Sequence, residues 1–236
     1  MKLLSLIATT SFAFFALTAC TSSPDSDEAT TTEAQEVADD TGDKTFTINP
    51  ASSKIKWIGT KVSGYHVGNV NVKEGEVHIA NGEITGGRFI LDMQSIAVTG
   101  PEGVSEKANQ KLLGHLKSED FFMVERYPEV VFEITKVQPY SGGEVNEADD
   151  PRQAEINEFK VTNPTHMVSG NLTIRDVTKN IEFPAKITIN QNSAEAIAKF
   201  NINRKDWNIT YPGAPDDLIR DEIHLGISLQ ASEKSM

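Results

Sequence analysis

The chain has 236 residues, enough for one domain or two small ones, and shows no internal repeat. With 22 basic and 34 acidic residues, its formal charge is −12. Nucleic acid is therefore disfavoured as a partner, because binding a phosphate backbone requires clustered Lys and Arg. The single cysteine excludes an internal disulfide and a cysteine-based zinc cluster, so packing must stabilise the fold.

Residues 1–19 are predicted to be a secretory signal peptide. Lys2 supplies a positive start, and the apolar run that follows is short and interrupted by hydroxyl residues, so it suits cleavage better than membrane spanning. The block Leu17-Thr18-Ala19-Cys20 resembles the lipobox of bacterial lipoproteins, which implies acylation of Cys20 with a palmitate-type chain. An ordinary signal peptide with an incidental cysteine is the alternative. We expect a lipid-anchored protein of the bacterial envelope, at the outer membrane and facing the periplasm, because Thr21 follows the cysteine.

The segment 20–44 is predicted to be a disordered acidic tether that carries the lipidated cysteine. Residues 21–44 hold eight acidic residues, one lysine and no aromatic residue. A flexible chain of that length spans roughly 27 Å, which would hold the domain clear of the lipid headgroups. An acidic binding tail is the alternative interpretation.

From Thr45 onward, short alternating runs separated by Gly, Asn, Asp and Pro predict a β-rich domain over residues 45–232. Nine runs have this pattern: 45–48, 54–58, 75–79, 87–96, 130–137, 167–175, 181–189, 196–204 and 222–230. One helix is predicted over 105–116, with Ser105 as the N-cap and a short turn after it at 118–122. Such a sheet favours closure into an antiparallel barrel that leaves no exposed edge, with a two-sheet sandwich as the alternative.

Residues 141–158 interrupt the strands with six acidic residues and one arginine, and we interpret them as an acidic loop insertion. Asp149-Asp150 lacks the spacing of a calcium loop. The histidines His66, His78, His166 and His224 show no HxxxH or HxH spacing, so no metal site is expected. Catalytic motifs are also absent from the sequence, which favours a protein that is not an enzyme.

Five stretches carry a family resemblance. Residues 114–122 read GHLKSEDFF, 127–132 read YPEVVF, 168–179 read VSGNLTIRDVTK and 200–207 read FNINRKDW, and Ser95-Ile96 closes an early strand. Together they resemble the YceI-like family of lipocalin-like, polyisoprenoid-binding proteins. The resemblance implies an all-β fold, an eight-stranded antiparallel barrel with one short helical excursion, that encloses a long isoprenoid-type lipid. The long insertion at 141–158 and Trp207 depart from the family pattern, and either departure would reshape the cavity mouth.

The predicted ligand contacts follow from strand parity together with this resemblance. The expected lining residues are apolar and share one face within each strand: Trp57, Phe89, Leu91, Phe132, Ile134, Leu172, Phe200 and Ile202. His115 and Arg204 are candidates for headgroup contact, with a structural role for His115 and an ion pair for Arg204 as alternatives. No cofactor is expected besides the lipid, and the sequence is compatible with a monomer or a homodimer. The competing hypothesis is a protein-binding or adhesion scaffold whose barrel is filled by side chains.

Overall fold

The computed structural model describes residues 22–37, 42–142 and 158–233. The predicted signal peptide, Cys20 and most of the acidic insertion therefore lie outside the described residues. The described strands are β1 (Thr30–Glu33), β2 (Lys44–Ile48), β3 (Lys54–Lys61), β4 (Gly64–Ala80), β5 (Glu83–Gly100), β6 (Glu129–Pro139), β7 (His166–Ile174), β8 (Val177–Ile189), β9 (Ser193–Asn203), β10 (Gly213–Ala214) and β11 (Asp217–Glu233). Helix α1 (Glu106–Lys117) and a 3-10 helix (Arg204–Trp207) lie outside the sheet.

Eight antiparallel strands close into a barrel. β4 to β9 pair in chain order, β9 pairs with β11, and β3 bridges β11 and β4 to complete the circle. β2 lies beside the same two strands at the opposite end from the β3–β4 turn. The predicted barrel is confirmed and the sandwich alternative is wrong, because closure satisfies the strand edges that an open sheet would expose.

The predicted elements lie in the right places, but six of the nine strands extend three or more residues beyond the predicted run. Each of the nine predicted runs falls on a strand. Helix α1 begins after Ser105, whose hydroxyl accepts a hydrogen bond from the Ala108 amide at 3.3 Å. The first half of β4 was missed, because its Gly and Asn residues resemble a turn signal. Gly68 is required there, since a Cβ would lie 2.4 Å from the Trp57 ring.

The prediction of a disordered tether needs correction for residues 22–37, called here the tether segment. β8 and β9 pair with each other only between Ala185 and Ile189 and then separate. β1 pairs with the free edge of β8, while the amide and carbonyl of Asn201 on β9 bond Asp27 and Ala29 at 2.8 and 2.9 Å. The tether segment is therefore ordered as an extra wall strand, because it supplies partners for backbone groups that would otherwise be unpaired.

The barrel interior divides into two regions. At one end, beside the β4–β5 and β8–β9 turns, the interior is filled by a cluster that we call the packed end: Phe46, Ile48, Ile55, Val72, Ile79, Ala194 and Ala231. The other region, which we call the hollow half, reaches from this cluster to the β3–β4 turn and α1. Its walls carry a larger apolar cluster from β4 to β9. This division decides where a ligand fits.

Several outward-facing polar side chains of the hollow half are buried. Thr60, Asn201 and His224 are only 2–3% exposed, although they alternate with inward-facing neighbours. The tether segment covers them together with residues 158–161, from which Phe159 places its ring edge-on to His224 at 5.4 Å. The Asn201 amide donates to the Pro24 carbonyl at 3.1 Å and to Glu28 at 2.9 Å. Around Thr60, Asn201 and His224, the outer surface of the hollow half is thus covered by the chain itself.

Candidate functional site

A cavity of about 330 Å³ occupies the hollow half. Its size lies within the range of roughly 300–1,000 Å³ that is usual for small-ligand pockets. Of the eight residues predicted to line it, seven do so: Trp57, Phe89, Leu91, Phe132, Leu172, Phe200 and Ile202. Ile134 does not border the cavity, although it is 5% exposed and belongs to the same apolar cluster as Phe132 and Leu172. Contact of these residues with a ligand stays a prediction.

Four aromatic rings form a continuous band along the cavity wall. Phe89 stacks on Phe132 with ring centroids 5.1 Å apart, and Phe132 lies 5.9 Å from Phe183. Phe183 in turn stacks on Phe200 at 4.1 Å. The backbone of Gly170 permits this arrangement, because a Cβ there would lie 2.2 Å from the Phe132 ring. The band gives the cavity a rigid apolar surface that suits a hydrocarbon chain.

The mouth of the cavity lies at the α1 end of the barrel and is partly roofed by apolar side chains. Leu112 and Leu116 of α1 and Phe121 and Phe122 after it line the roof. Tyr211 joins them, with its ring 5.6 Å from that of Phe121. The helix forms here because its apolar residues recur at three- and four-residue spacing and face the barrel. Its position makes the helix a partial lid over an apolar interior.

Among the residues that the structure describes, two polar atoms at the cavity wall are buried and have no hydrogen-bond partner: Trp57 Nε1 and His66 Nδ1. The two residues lie on adjacent strands, since Trp57 pairs with Gly68 and His66 with Gly59. Burial lowers the pKa of His66, Lys61 lowers it further, and Asp217 opposes both effects. Because an unmet buried donor or acceptor costs about 1–3 kcal/mol, a neutral polar group bound near them would relieve this penalty.

The lysine at the mouth is already paired. Lys61 binds the carboxylate of Asp217, which also accepts a hydrogen bond from the Ser63 amide at 2.9 Å. The hydrogen bond from Lys61 has the largest effect, and together with the bond from Ser63 it lowers the pKa of Asp217 to about 2. The Asp217 carboxylate therefore stays charged at neutral pH, and its ion pair with Lys61 joins two hairpins at the rim, so the lysine is not free for an anionic ligand.

Arg204, a predicted headgroup contact, lines the cavity but is 4% exposed and held by protein groups. Its guanidinium donates to the carbonyls of Ile209 and Arg220 at 2.6 and 3.2 Å and to Asp221 at 3.0 Å. Burial lowers its pKa and Asp221 opposes that shift. The geometry favours the ion-pair alternative, in which Arg204 ties the 3-10 helix to β11.

His115 also lines the cavity and makes a structural contact, while its contact with a headgroup stays a prediction. Its Nδ1 lies 3.1 Å from a carboxylate oxygen of Asp120, within hydrogen-bond distance. A carboxylate oxygen accepts, so we assign Nδ1 as the donor of this hydrogen bond. That bond connects α1 to the turn after it, so the residue supports the roof. Its ring lies 6.1 Å from that of Tyr211 at the mouth.

Trp207 does not line the cavity, contrary to the expectation that it would reshape the mouth. It is 0% exposed, and its indole donates to the Leu172 carbonyl at 2.9 Å. Arg175, another arginine at a strand end, donates to the carbonyl of Phe121 at 3.3 Å. Both side chains therefore brace the mouth end of the barrel from outside the cavity.

Sequence reasoning missed several lining residues close to the mouth. Lys61 continues the parity of Trp57 beyond the predicted run 54–58, whereas Ile223 lies within the run 222–230 and has the same parity as Leu225. His66 lies in the first half of β4, which none of the predicted strands includes. Tyr211 comes from an irregular loop, where no periodicity marks the facing side.

Among residues 22–37, 42–142 and 158–233, no cluster of three or more His, Cys, Asp or Glu side chains has the arrangement of a metal site. Within the same ranges, none of the helices has the length and apolar character needed to cross a bilayer.

Comparison with known proteins identifies relatives of the fold. The YceI-like domain profile matches residues 46–231. A crystal structure of Burkholderia cenocepacia BcnA superposes with a TM-score of 0.56 at 16% identity, covering 78% of this chain and 99% of that one. A polyisoprenoid-binding domain from Saccharophagus degradans, implicated in plant cell wall breakdown, gives 0.53 at 10% identity, covering 84% and 100%. None of the curated proteins compared matches the chain.

These structural likenesses show a shared barrel fold, and the family profile covers most of the sequence, including all eight barrel strands. The chain belongs to the YceI-like family.

Proposed function

We propose that the barrel binds a long apolar lipid of the polyisoprenoid type in its hollow half, without catalysing a reaction. The observation that carries this proposal is the cavity of about 330 Å³ whose wall is a band of aromatic and aliphatic side chains. The name of the Saccharophagus degradans domain, which states polyisoprenoid binding, supports the same class of ligand.

Burial of hydrocarbon supplies enough free energy for useful affinity. Each methylene that leaves water contributes about 0.8 kcal/mol, so ten contribute roughly 8 kcal/mol. That corresponds to a Kd of about 1 μM before the cost of ordering the ligand, and a longer chain offsets this cost. Specific polar contacts are therefore needed for orientation more than for strength.

The polar groups at the cavity favour a ligand with an uncharged headgroup. Lys61 and Arg204 are both engaged by carboxylates. Within the described part of the chain, Trp57 Nε1 and His66 Nδ1 are cavity-wall atoms without a hydrogen-bond partner, and the lowered pKa of His66 keeps its imidazole neutral at pH 7. An alcohol, phenol or quinone oxygen suits these groups better than a phosphate.

We also propose that the protein acts in the bacterial envelope, held to the outer membrane by an acyl group on Cys20 and facing the periplasm. The lipobox-like block at residues 17–20 supports this placement. A membrane-held binding protein has direct access to apolar lipids that are almost insoluble in water.

The scaffold alternative with a filled barrel does not fit the structure, because only the packed end is filled by side chains. The acidic insertion, which would bind a protein in this alternative, lies mainly outside the described residues. Protein binding by the insertion therefore stays a hypothesis.

Two glycine substitutions test lipid binding with a matched control. Gly59 faces the cavity, and a Cβ there would meet only Ile223 and Trp57, at 3.7 and 3.9 Å. Gly226, on the neighbouring strand, pairs with the outward-facing Lys56. A Cβ added at Gly226 would lie 3.9 Å from the Cβ of Lys56. Gly59→Phe therefore places a ring in the cavity, whereas Gly226→Phe places the same ring on the outer surface.

The full chain and both variants would be extracted from membranes and purified, and their organic extracts compared by mass spectrometry. We expect an isoprenoid-type lipid in near-stoichiometric amount with the wild type and Gly226→Phe, and its loss from Gly59→Phe. Because all three proteins carry the same anchor, lipid that adheres non-specifically cancels in the comparison. Equal lipid content in all three proteins would contradict binding in the cavity.

A further inference from the structure

The tether segment meets the barrel at its mouth end. The hydroxyl of Ser23 lies 3.0 Å from that of Thr60 and donates to the Glu222 carbonyl at 3.2 Å. Thr60 is the penultimate residue of β3 and directly precedes the rim residue Lys61. The N-terminal end of the described tether segment therefore lies beside the cavity mouth.

The length of chain between this contact and the anchor is short. Cys20 precedes Ser23 by three residues, which reach at most about 11 Å when fully extended. In contrast, the six residues from Thr60 back to Lys54 carry β3 roughly 20 Å toward the packed end. An acyl group on Cys20 is consequently confined to the neighbourhood of the mouth, and the 27 Å spacer expected from the sequence does not separate it from the barrel.

The rim at this position carries exposed apolar side chains. Val62, Tyr65 and Leu218 are 38%, 45% and 48% exposed, on the tips of two adjacent hairpins. The hairpins are joined by a hydrogen bond from the Val62 amide to the Leu218 carbonyl at 3.1 Å and by the Lys61–Asp217 pair. Clustered exposed apolar groups mark an interaction surface, and tyrosine is a residue favoured at the membrane–water interface.

We propose that the cavity mouth lies against the bilayer that holds the anchor, with Val62, Tyr65 and Leu218 inserted into its interface. This proposal rests on the acylation of Cys20 included in the proposed function. A bilayer is the occupant that the structure favours, because the short chain from Ser23 brings the acyl group and the apolar rim to the same surface. A lipid then passes between bilayer and cavity without crossing water.

The orientation is tested on the full acylated chain in vesicles of phosphatidylethanolamine and phosphatidylglycerol that contain nitroxide-labelled lipid. A fluorophore is attached at Leu218→Cys on the rim or, as a matched control, at Gln191→Cys in the exposed β8–β9 turn. Acylation consumes the thiol of Cys20, so each variant has one reactive cysteine. We expect at least a fivefold stronger quenching at position 218 than at 191. Equal quenching, stronger quenching at 191, or a chain without an acyl group would overturn the proposal.

A second measurement separates this proposal from lipid binding itself. Uptake of solanesol, a polyprenyl alcohol, is followed with the wild type and with the triple variant V62S/Y65S/L218S. We expect uptake from vesicles to slow about tenfold in the variant, while binding of solanesol delivered from detergent stays unchanged. Unchanged uptake from vesicles would overturn membrane docking of the rim. Failure of every protein to bind detergent-delivered solanesol would instead contradict the proposed function, and the quenching experiment would still report the orientation.

Discussion

The packed end and the hollow half of the barrel are both built from apolar residues, but side chains fill the first and leave a cavity in the second. At the packed end, β2 fits beside β4 and β11, and side chains such as Phe46 and Ile48, at 1% and 2% exposure, fill the interior. In the hollow half, aromatic rings line the walls and leave the centre empty. An eight-stranded barrel is just wide enough for either outcome, so stability and binding are assigned to different ends of one core.

The largest expected effect comes from removing one phenyl ring from each region. Phe46→Ala should lower the free energy of unfolding by about 3–5 kcal/mol, because it opens a void in close-packed surroundings. Phe89→Ala should cost about half as much, since its ring already borders a cavity. Urea denaturation of the purified proteins measures both values. Similar losses for the two variants would show that the two regions are equally well packed.

The second prediction concerns pH and the outer cover of the hollow half. Burial, and then Lys199, lower the pKa of His224 to about 4 from its ordinary value of 6.5. Between these pH values the unfolded chain binds a proton that the folded chain excludes, so stability is complete above pH 6.5 and falls toward pH 4. The loss should be on the order of 3 kcal/mol.

His224→Gln provides the control for this prediction, because glutamine does not titrate. Its unfolding free energy should vary less than that of the wild type between pH 7 and pH 4, as measured by urea denaturation at each pH. A wild-type curve that is flat over this interval, or a variant curve that is equally steep, would contradict the assignment to His224.

A third, intermediate effect is expected at the seam between β8 and β9. Asn201→Ala removes the side-chain bonds to Pro24 and Glu28 and leaves His224 without its Asn201 partner. We expect a loss of about 1–3 kcal/mol, together with faster amide hydrogen exchange at residues 27–33. Exchange in β2 at the packed end serves as the internal reference. Faster exchange in both places would indicate general destabilisation rather than release of the tether segment.

The smallest effect is expected at the unpartnered indole of the cavity. Trp57→Phe removes the Nε1–H donor while keeping an aromatic ring, so the stability of the empty protein should change by less than about 1 kcal/mol. Affinity for solanesol should fall about tenfold, whereas affinity for squalene, which has no polar group, should be unchanged. Isothermal titration compares the two ligands. An equal loss for both would assign the role of Trp57 to packing alone.

Much of the fold was predictable because its signals are local. Alternation located the barrel strands, and the spacing after Ser105 located α1. The position of the tether segment was not predictable, because Thr30–Glu33 acquires its structure from the free edge of β8 and not from its own pattern. The structure shows the contact through polar residues such as Asn201, which face outward but are buried beneath the tether segment. Nothing in the sequence around Asn201 indicates that burial.

The candidate site was predictable to the extent that parity determines which side chains face inward. Seven of eight predicted lining residues border the cavity, and Ile134 does not. Parity gives the direction of a side chain but not the distance to the opposite wall, so it cannot distinguish a filled barrel from a hollow one. Residues contributed by loops, such as Tyr211, and ion pairs such as Lys61–Asp217 depend on three-dimensional closure.

The decisive experiment for lipid binding in the hollow half is a crystal structure of the chain after incubation with solanesol. We predict density for the isoprenoid chain in the hollow half, between Leu91 and Phe200, with its hydroxyl toward Trp57 or His66 and the packed end unchanged. Solanesol bound on the outer surface, or an interior closed by inward movement of the phenyl rings with no ligand present, would contradict the account.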